Sequence, residues 1–198
     1  VQLKPEARII GFDDAPFEPH SKGEKVPVVG VVMRAGSYVE AILKDEVHVD
    51  EMDGTAVLER MLLGSRYLDQ LRGILLDGIS LGGFNVIDIF HISRATGLPV
   101  VSVTRDEPDM KSIFSALFAH FEDGEERVRI VDQGELVKFH LLSDRRDMTL
   151  WGKFAGTDYQ GALDILNLTT IRGAMPEPLR IAHLIGAAMV KGESRGRA

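Results

Sequence analysis

Short apolar runs alternate with polar turns along this chain, and two of the runs are uninterrupted. Residues 8–12 (RIIGF) and 73–76 (GILL) carry no water-facing position, the pattern of strands buried on both faces beneath covering helices. Each run stops at a carboxylate: Asp13 followed by Asp14 in the first, Asp77 followed by Gly78 in the second. Residues 27–34 (PVVGVVMR) and 38–49 (YVEAILKDEVHV) are also β-rich and are joined at Ala35-Gly36-Ser37, a hairpin signal. The stretch Ala15-Pro16-Phe17-Glu18-Pro19 is read as a loop, because proline has no N–H for a central ladder. Three strands therefore come first, with connections short enough for antiparallel neighbours.

Helical spacing takes over from Asp53-Gly54-Thr55, with Val57, Leu58, Met61, Leu62, Leu68 and Leu71 as the apolar positions and Gly64 as an interruption. This helix leads into the strand ending at Asp77. A glycine-rich loop (78–83) follows, then a helix through Val86, Ile89, Phe90 and Ile92 stopped at Gly97, a strand over 98–103, and a helix over 108–121 opened by Pro108. Further on, residues 127–131, 136–141 and 148–154 read as strands, the first two around Asp132-Gln133-Gly134. Helices are expected over 159–166 and 178–190, with a polar, frayed tail over 191–198. The order β-β-β-α-β-α-β-α implies an α/β fold with a mixed sheet, its first strand central and beside the strand ending at Asp77, with helices on both faces and a C-terminal extension. No repeat or linker divides the chain, so residues 1–198 are expected to form one domain.

Composition narrows the chemistry. The chain has no cysteine, which removes thiolate metal sites, disulfides and cysteine nucleophiles and suits a cytoplasmic setting. It contains no signal-peptide pattern and no apolar run of about eighteen residues, so no membrane partner is expected. A net charge of −7 argues against nonspecific coating of nucleic acid but leaves room for local handling of a phosphodiester. Basic groups available for that are Arg66, Arg72, Arg105, Arg145, Arg146, Arg172 and Arg180, although scattered arginines are ordinary surface features.

In open α/β sheets, ligands gather where the strands' carboxyl ends emerge, which puts Asp13, Asp14 and Asp77 on the working rim. Carboxylates brought together there repel until a proton or cation relieves them, and Mg²⁺ or Mn²⁺ suits their hard oxygens. Asp13 and Asp77 are the chief metal-ligand candidates. Asp14 points to the opposite face if the strand continues, which makes it a turn former or an outer hydrogen-bonding group. Asp53 has two readings, a third ligand or an N-cap of the following helix. Gly78, Gly82 and Gly83 suit either a phosphate approach or ordinary turns. Glu177 suits the N-terminus of the last helix, and His183 lies on that helix facing either the site or the core. His91 and His120 read as structural, while Trp151 and Phe154 pack or stack on a base.

Taken together, an aspartate at the end of the first and fourth strands and this element order resemble the ribonuclease H-like fold. Ile10-Gly11-Phe12-Asp13 and Leu75-Leu76-Asp77-Gly78 are similar to the first- and fourth-strand motifs of endonuclease V. Val101-Ser102-Val103-Thr104-Arg105 resembles its fifth strand, with Arg105 where that family has a lysine. Over essentially all 198 residues, including Pro176-Glu177-Pro178-Leu179-Arg180-Ile181-Ala182-His183, the chain resembles archaeal domain-of-unknown-function family ninety-nine, a distant relative of endonuclease V. The resemblance implies a Mg²⁺- or Mn²⁺-dependent nuclease or phosphodiesterase acting on DNA or RNA. Asp13, Asp77 and Asp53 would hold metal, and Arg105 would offer a guanidinium fork to phosphate but no general base. Endonuclease V acts at hypoxanthine, but its Pro-Tyr-Ile-Pro wedge is absent here and Asp53, with Asp50 and Glu51 behind it, replaces its acidic residue only approximately. Those departures keep two rivals open: a non-catalytic nucleic-acid-binding or regulatory module on the same fold, and an enzyme acting on small phosphate compounds.

Overall fold

The two apolar runs that end in carboxylates lie side by side. In the computed structural model, which describes residues 3–18, 21–141 and 148–194, β1 (Arg8–Asp14) pairs in parallel with β4 (Leu71–Asp77). Phe12 stands opposite Leu76, so Asp13 and Asp77, one residue further, emerge together at the carboxyl ends. Around this pair, β2 (Lys25–Arg34), β3 (Tyr38–His48), β5 (Val100–Thr104), β6 (Val137–Leu141) and β7 (Met148–Ala155) complete a mixed sheet in the order β3-β2-β1-β4-β5-β7-β6. β1, β2 and β3 are antiparallel, β1, β4 and β5 parallel, and β7 returns antiparallel between β5 and β6. This is the ribonuclease H-like order with two strands added at one edge.

Helices cover both faces. On one, α1 (Gly54–Leu63) and α2 (Ile89–Thr96) pack Val57, Leu58, Leu62, Ile89 and Ile92 against Ile10, Phe12, Ile74 and Leu76. On the other, α5 (Tyr159–Thr169) and α6 (Glu177–Lys191) bring Ile165, Leu166 and Leu179 to a core containing Ile9, Leu75 and Val101. α3 (Met110–His120) and α4 (Gly124–Val131) make a smaller cluster with Val86, Leu117 and Val131. Three helices are capped as their sequences suggest: Asp88, Asp109 and Asp158 accept from the backbone N–H three residues on. Gly97 ends α2 in the left-handed region.

The structure corrects several sequence expectations. Residues 127–131 are helix, not strand. The alternation R-V-R-I-V imitates a strand, yet Asp123 pairs with Arg127 across one turn, and the Nζ of buried Lys153 donates to the carbonyls of Val131, Gln133 and Gly134 at the helix end. α1 stops before Gly64, so Leu68 lies in a short 3-10 turn and Leu71 opens β4. Val86 precedes α2 and bridges to Ser80. Arg145, Arg146, Pro19 and the tail residues 195–198 lie outside the described residues. Among the described residues, no helix is long and apolar enough to cross a membrane.

Gly11 is where β1 meets α6. A Cβ there would stand 2.7 Å from Pro178 Cβ and 2.9 Å from the Leu179 backbone N, so the glycine of the β1 motif is required by close packing. Gly11→Ala should therefore destabilise the fold by about 1–3 kcal/mol, the usual cost of overpacking. That corresponds to a loss of several degrees in the thermal midpoint of a domain this size. A midpoint unchanged in thermal unfolding followed by circular dichroism would mean that α6 shifts freely on β1.

Candidate active site

Strand alternation sorts the acids of β1. Ile9, Gly11 and Asp13 face α6, whereas Ile10, Phe12 and Asp14 face the side of α1 and the glycine-rich loop. Asp13 is only 5% exposed. Its Oδ2 lies 3.0 Å from His183 Nδ1, and its Oδ1 accepts from the Asp14 backbone N–H at 2.9 Å. Asp14 accepts from the Gly82 N–H at 2.8 Å.

Burial raises the pKa of all three acids. Burial first, then the negative charges of Asp77 and Asp14, push the Asp13 carboxyl up to about 8. Asp14 is raised by burial, opposed by the Gly82 N–H. Asp77 is raised by burial, with His183 and Arg105 pulling it back and Asp14 adding to the rise. Three acids that sense one another out of water hold their full negative charge poorly without a cation.

Beside them opens a cleft of about 310 Å³, lined by Asp77, Thr104, Arg105, Asp106, Arg180 and His183, with Met175 and Leu179 as its apolar wall. Arg105 stands just past β5, at the carboxyl-end rim where Asp77 closes the neighbouring strand. The cleft therefore joins negative charge from the strands to positive charge from Arg105 and α6. A phosphate ester bridging a cation at the acids would meet guanidinium groups on its other side.

Of the residues singled out in the sequence, Asp13, Asp77 and Arg105 are brought together and Asp53 is not. Asp53 occupies the N-cap position of α1 without capping it. Its carboxylate accepts from the His48 backbone N–H and from Asn85 Nδ2 at 2.6 Å, and lies 2.7 Å from His48 Nδ1. Burial raises this carboxyl, but the bonds from His48 and Asn85 outweigh it and leave the pKa below the ordinary value. Asp50 is similarly committed, accepting from the Phe84 N–H. Asp14 faces the other side of the sheet and holds the glycine-rich loop, as its place one residue after Asp13 implied, while its charge adds to the rise at Asp13 and Asp77. The sequence contained its signal, a second carboxylate at the end of a buried strand, but not the loop that folds back to meet it.

The glycine-rich loop also has local duties. Gly78, Gly82 and Gly83 adopt positive φ, with the Gly78 N–H donating to Val103 O and the Gly82 N–H to Asp14. Those two amides support the rim and are not available to a phosphate. His91 Nε2 lies 2.8 Å from Glu59 Oε2, joining α2 to α1, and His120 is exposed at the end of α3. Phe154 packs against Phe139, and Lys138 covers Trp151. Glu177 is buried and paired with Arg180, and His183 faces Asp13.

Comparison with known proteins shows the family and the fold. A family model described as endonuclease dU matches residues 5–190. A UPF0215 protein of Methanosarcina mazei is 44% identical, with 99% of this chain and 97% of the relative covered. The crystal structure of a protein of unknown function from Archaeoglobus fulgidus is 37% identical with a TM-score of 0.79, covering 92% of this chain and 97% of its own. Ciona intestinalis endonuclease V, solved in complex with a DNA containing an inosine followed by a ribo-adenosine, shares the fold at 12% identity. Its TM-score is 0.61, with 94% of this chain and 87% of that one covered. The chain belongs to the endonuclease dU family, a distant relation of endonuclease V on a ribonuclease H-like fold.

Proposed function

We propose that this protein is a metal-dependent endonuclease that hydrolyses a phosphodiester in nucleic acid near a deaminated base. The family description makes deoxyuridine in DNA the first substrate to test. The observation that carries this reading is the pairing of Asp13 and Asp77 at the ends of two parallel strands, beside a cleft that also contains Arg105.

The donor set fits Mg²⁺ or Mn²⁺: hard carboxylate oxygens whose burial and mutual repulsion favour a cation. Among the described residues no three histidine or acidic side chains already converge on one ion position. Water and substrate phosphate would complete the coordination, as is usual for Mg²⁺. Asp13 and Asp77, with Asp14 close by, are the residues that would hold the metal, which would supply charge neutralisation at the phosphate and an activated water. His183 orients the Asp13 carboxylate from α6. Arg105 receives a non-bridging phosphate oxygen, and its permanent charge excludes it as the general base.

Asp13→Asn and Asp77→Asn should each reduce cleavage of a deoxyuridine-containing DNA in Mg²⁺ by at least about 100-fold, the scale of losing one key electrostatic contact. Gel analysis of end-labelled strands checks this; cleavage retained by both variants would remove the two acids from the chemistry, and no cleavage by wild type would favour a binding module without chemistry.

A second expectation concerns pH. Asp13 titrates near 3.8 ordinarily and near 8 here, so the folded protein binds more protons than the unfolded chain between those values. The stabilising contribution is complete below about pH 4 and is lost as pH rises toward 8. In chelator, the thermal midpoint should therefore fall over that range more steeply for wild type than for Asp13→Asn. Added Mg²⁺ should restore the midpoint at pH 8 and have little effect at pH 5. Equal slopes for the two proteins would contradict the placement of Asp13.

A further inference from the structure

We infer that Arg180 is a second phosphate-binding cation of this cleft, held by Glu177 as a positioning residue, and that it takes a phosphate flanking the one to be cleaved. The inference rests on the nucleic-acid reading above and extends it to how the strand is held.

Arg180 lies in the first turn of α6, where the helix dipole disfavours a cation. Its side chain remains 31% exposed and lines the cleft together with Asp77, Arg105 and His183. Glu177, by contrast, is buried, with its side chain 7% exposed. Glu177 Oε2 accepts from Arg180 Nε at 2.9 Å and from Nη2 at 2.6 Å. Its Oε1 is buried with no partner among the described residues.

A buried carboxylate with one oxygen unsatisfied is costly, and a helix N-terminus gains the same dipole benefit from an exposed acid. What the buried position adds is a fixed guanidinium. Two of its donor nitrogens are tied to Glu177, and no described residue engages Nη1. A pinned guanidinium with a free donor beside an apolar wall is suited to one phosphate oxygen.

The two arginines of the cleft divide the strand between them. Arg105 stands just past β5, beside the strand that Asp77 closes, whereas Arg180 reaches the cleft from the first turn of α6. Arg180 and His183 are three residues apart on α6, so they share a face of the helix. The helix thus presents His183 to Asp13 and Arg180 to the strand beyond.

The test is the affinity of the full chain for a fluorescein-labelled single-stranded DNA with one deoxyuridine. It is read by anisotropy across a salt series, with Ca²⁺ replacing Mg²⁺ to keep the strand uncut. Arg180→Gln should weaken binding about 5- to 20-fold and reduce the slope of log affinity against log salt by about 0.7, one phosphate contact on a single strand. Arg180→Lys should keep the slope but bind more weakly than wild type. Glu177→Gln should keep the slope and weaken binding about threefold or more. Arg66→Gln, a control charge change before β4 at the opposite end of the sheet, should alter neither.

Arg180→Gln matching wild type in affinity and slope, or Arg66→Gln producing an equal loss, overturns the inference. Glu177→Gln binding as wild type does overturns the positioning role. Should Arg180→Gln fail to fold, Arg180→Lys decides, and wild-type affinity in that variant counts against the proposal. Wild type that binds and cleaves while the Arg180 variants behave identically defeats this inference alone. Wild type that neither binds nor cleaves defeats it together with the nuclease reading.

Discussion

Parallel pairing of β1 with β4 brings a buried Asp13 beside a half-buried Asp77 at the mouth of the cleft. The pairing is driven by burial of Ile9, Ile10, Phe12, Ile74, Leu75 and Leu76, all essentially inaccessible to solvent. The electrostatic cost falls at the strand ends, where burial and mutual repulsion raise the carboxyls. A sheet of this kind would be easier to build with neutral residues at those positions. Retaining the acids, and surrounding them with His183 and Arg105, is intelligible if a cation and a phosphate complete the arrangement.

The rest of the fold fixes the geometry of that pair. Gly11 lets α6 lie on β1 closely enough for His183 to reach Asp13. Gly186 repeats the device further along, where a Cβ would come 3.0 Å from the Ala15 backbone. On the opposite face, the loop after β4 returns the Gly82 N–H to Asp14, and Asp50, at φ 60°, braces the same loop through the Phe84 N–H. The acids are thus positioned from both faces of the sheet, by the His183 imidazole on one and by the Gly82 backbone N–H on the other.

Local pattern made the strand order legible, and with it the pairing of Asp13 with Asp77. Buried runs of five and four residues, a hairpin glycine and the stop at Gly97 are all signals within one element. What escaped depends on contacts distant in sequence. Asp13 and His183 are 170 positions apart, and nothing local shows which face of α6 meets β1. Asp53 is a candidate ligand because the resemblance to endonuclease V implies an acid near the first helix, but His48 and Asn85 engage its carboxylate. Arg127 to Val131 alternates like a strand, yet Arg127 donating to the carbonyls of Glu51 and Phe84 and the ammonium of Lys153 at the helix end hold it helical. In each case tertiary partners outweighed local pattern.

Whether Asp13 and Asp77 form one cation site is decided by Mn²⁺ binding. Titration followed by water-proton relaxation, with a short deoxyuridine-containing DNA present so that a phosphate can complete the coordination, should show binding by wild type that Asp13→Asn and Asp77→Asn each abolish or weaken severely. Equal Mn²⁺ binding by all three proteins would contradict a shared site, as would the absence of binding by wild type even with the strand bound.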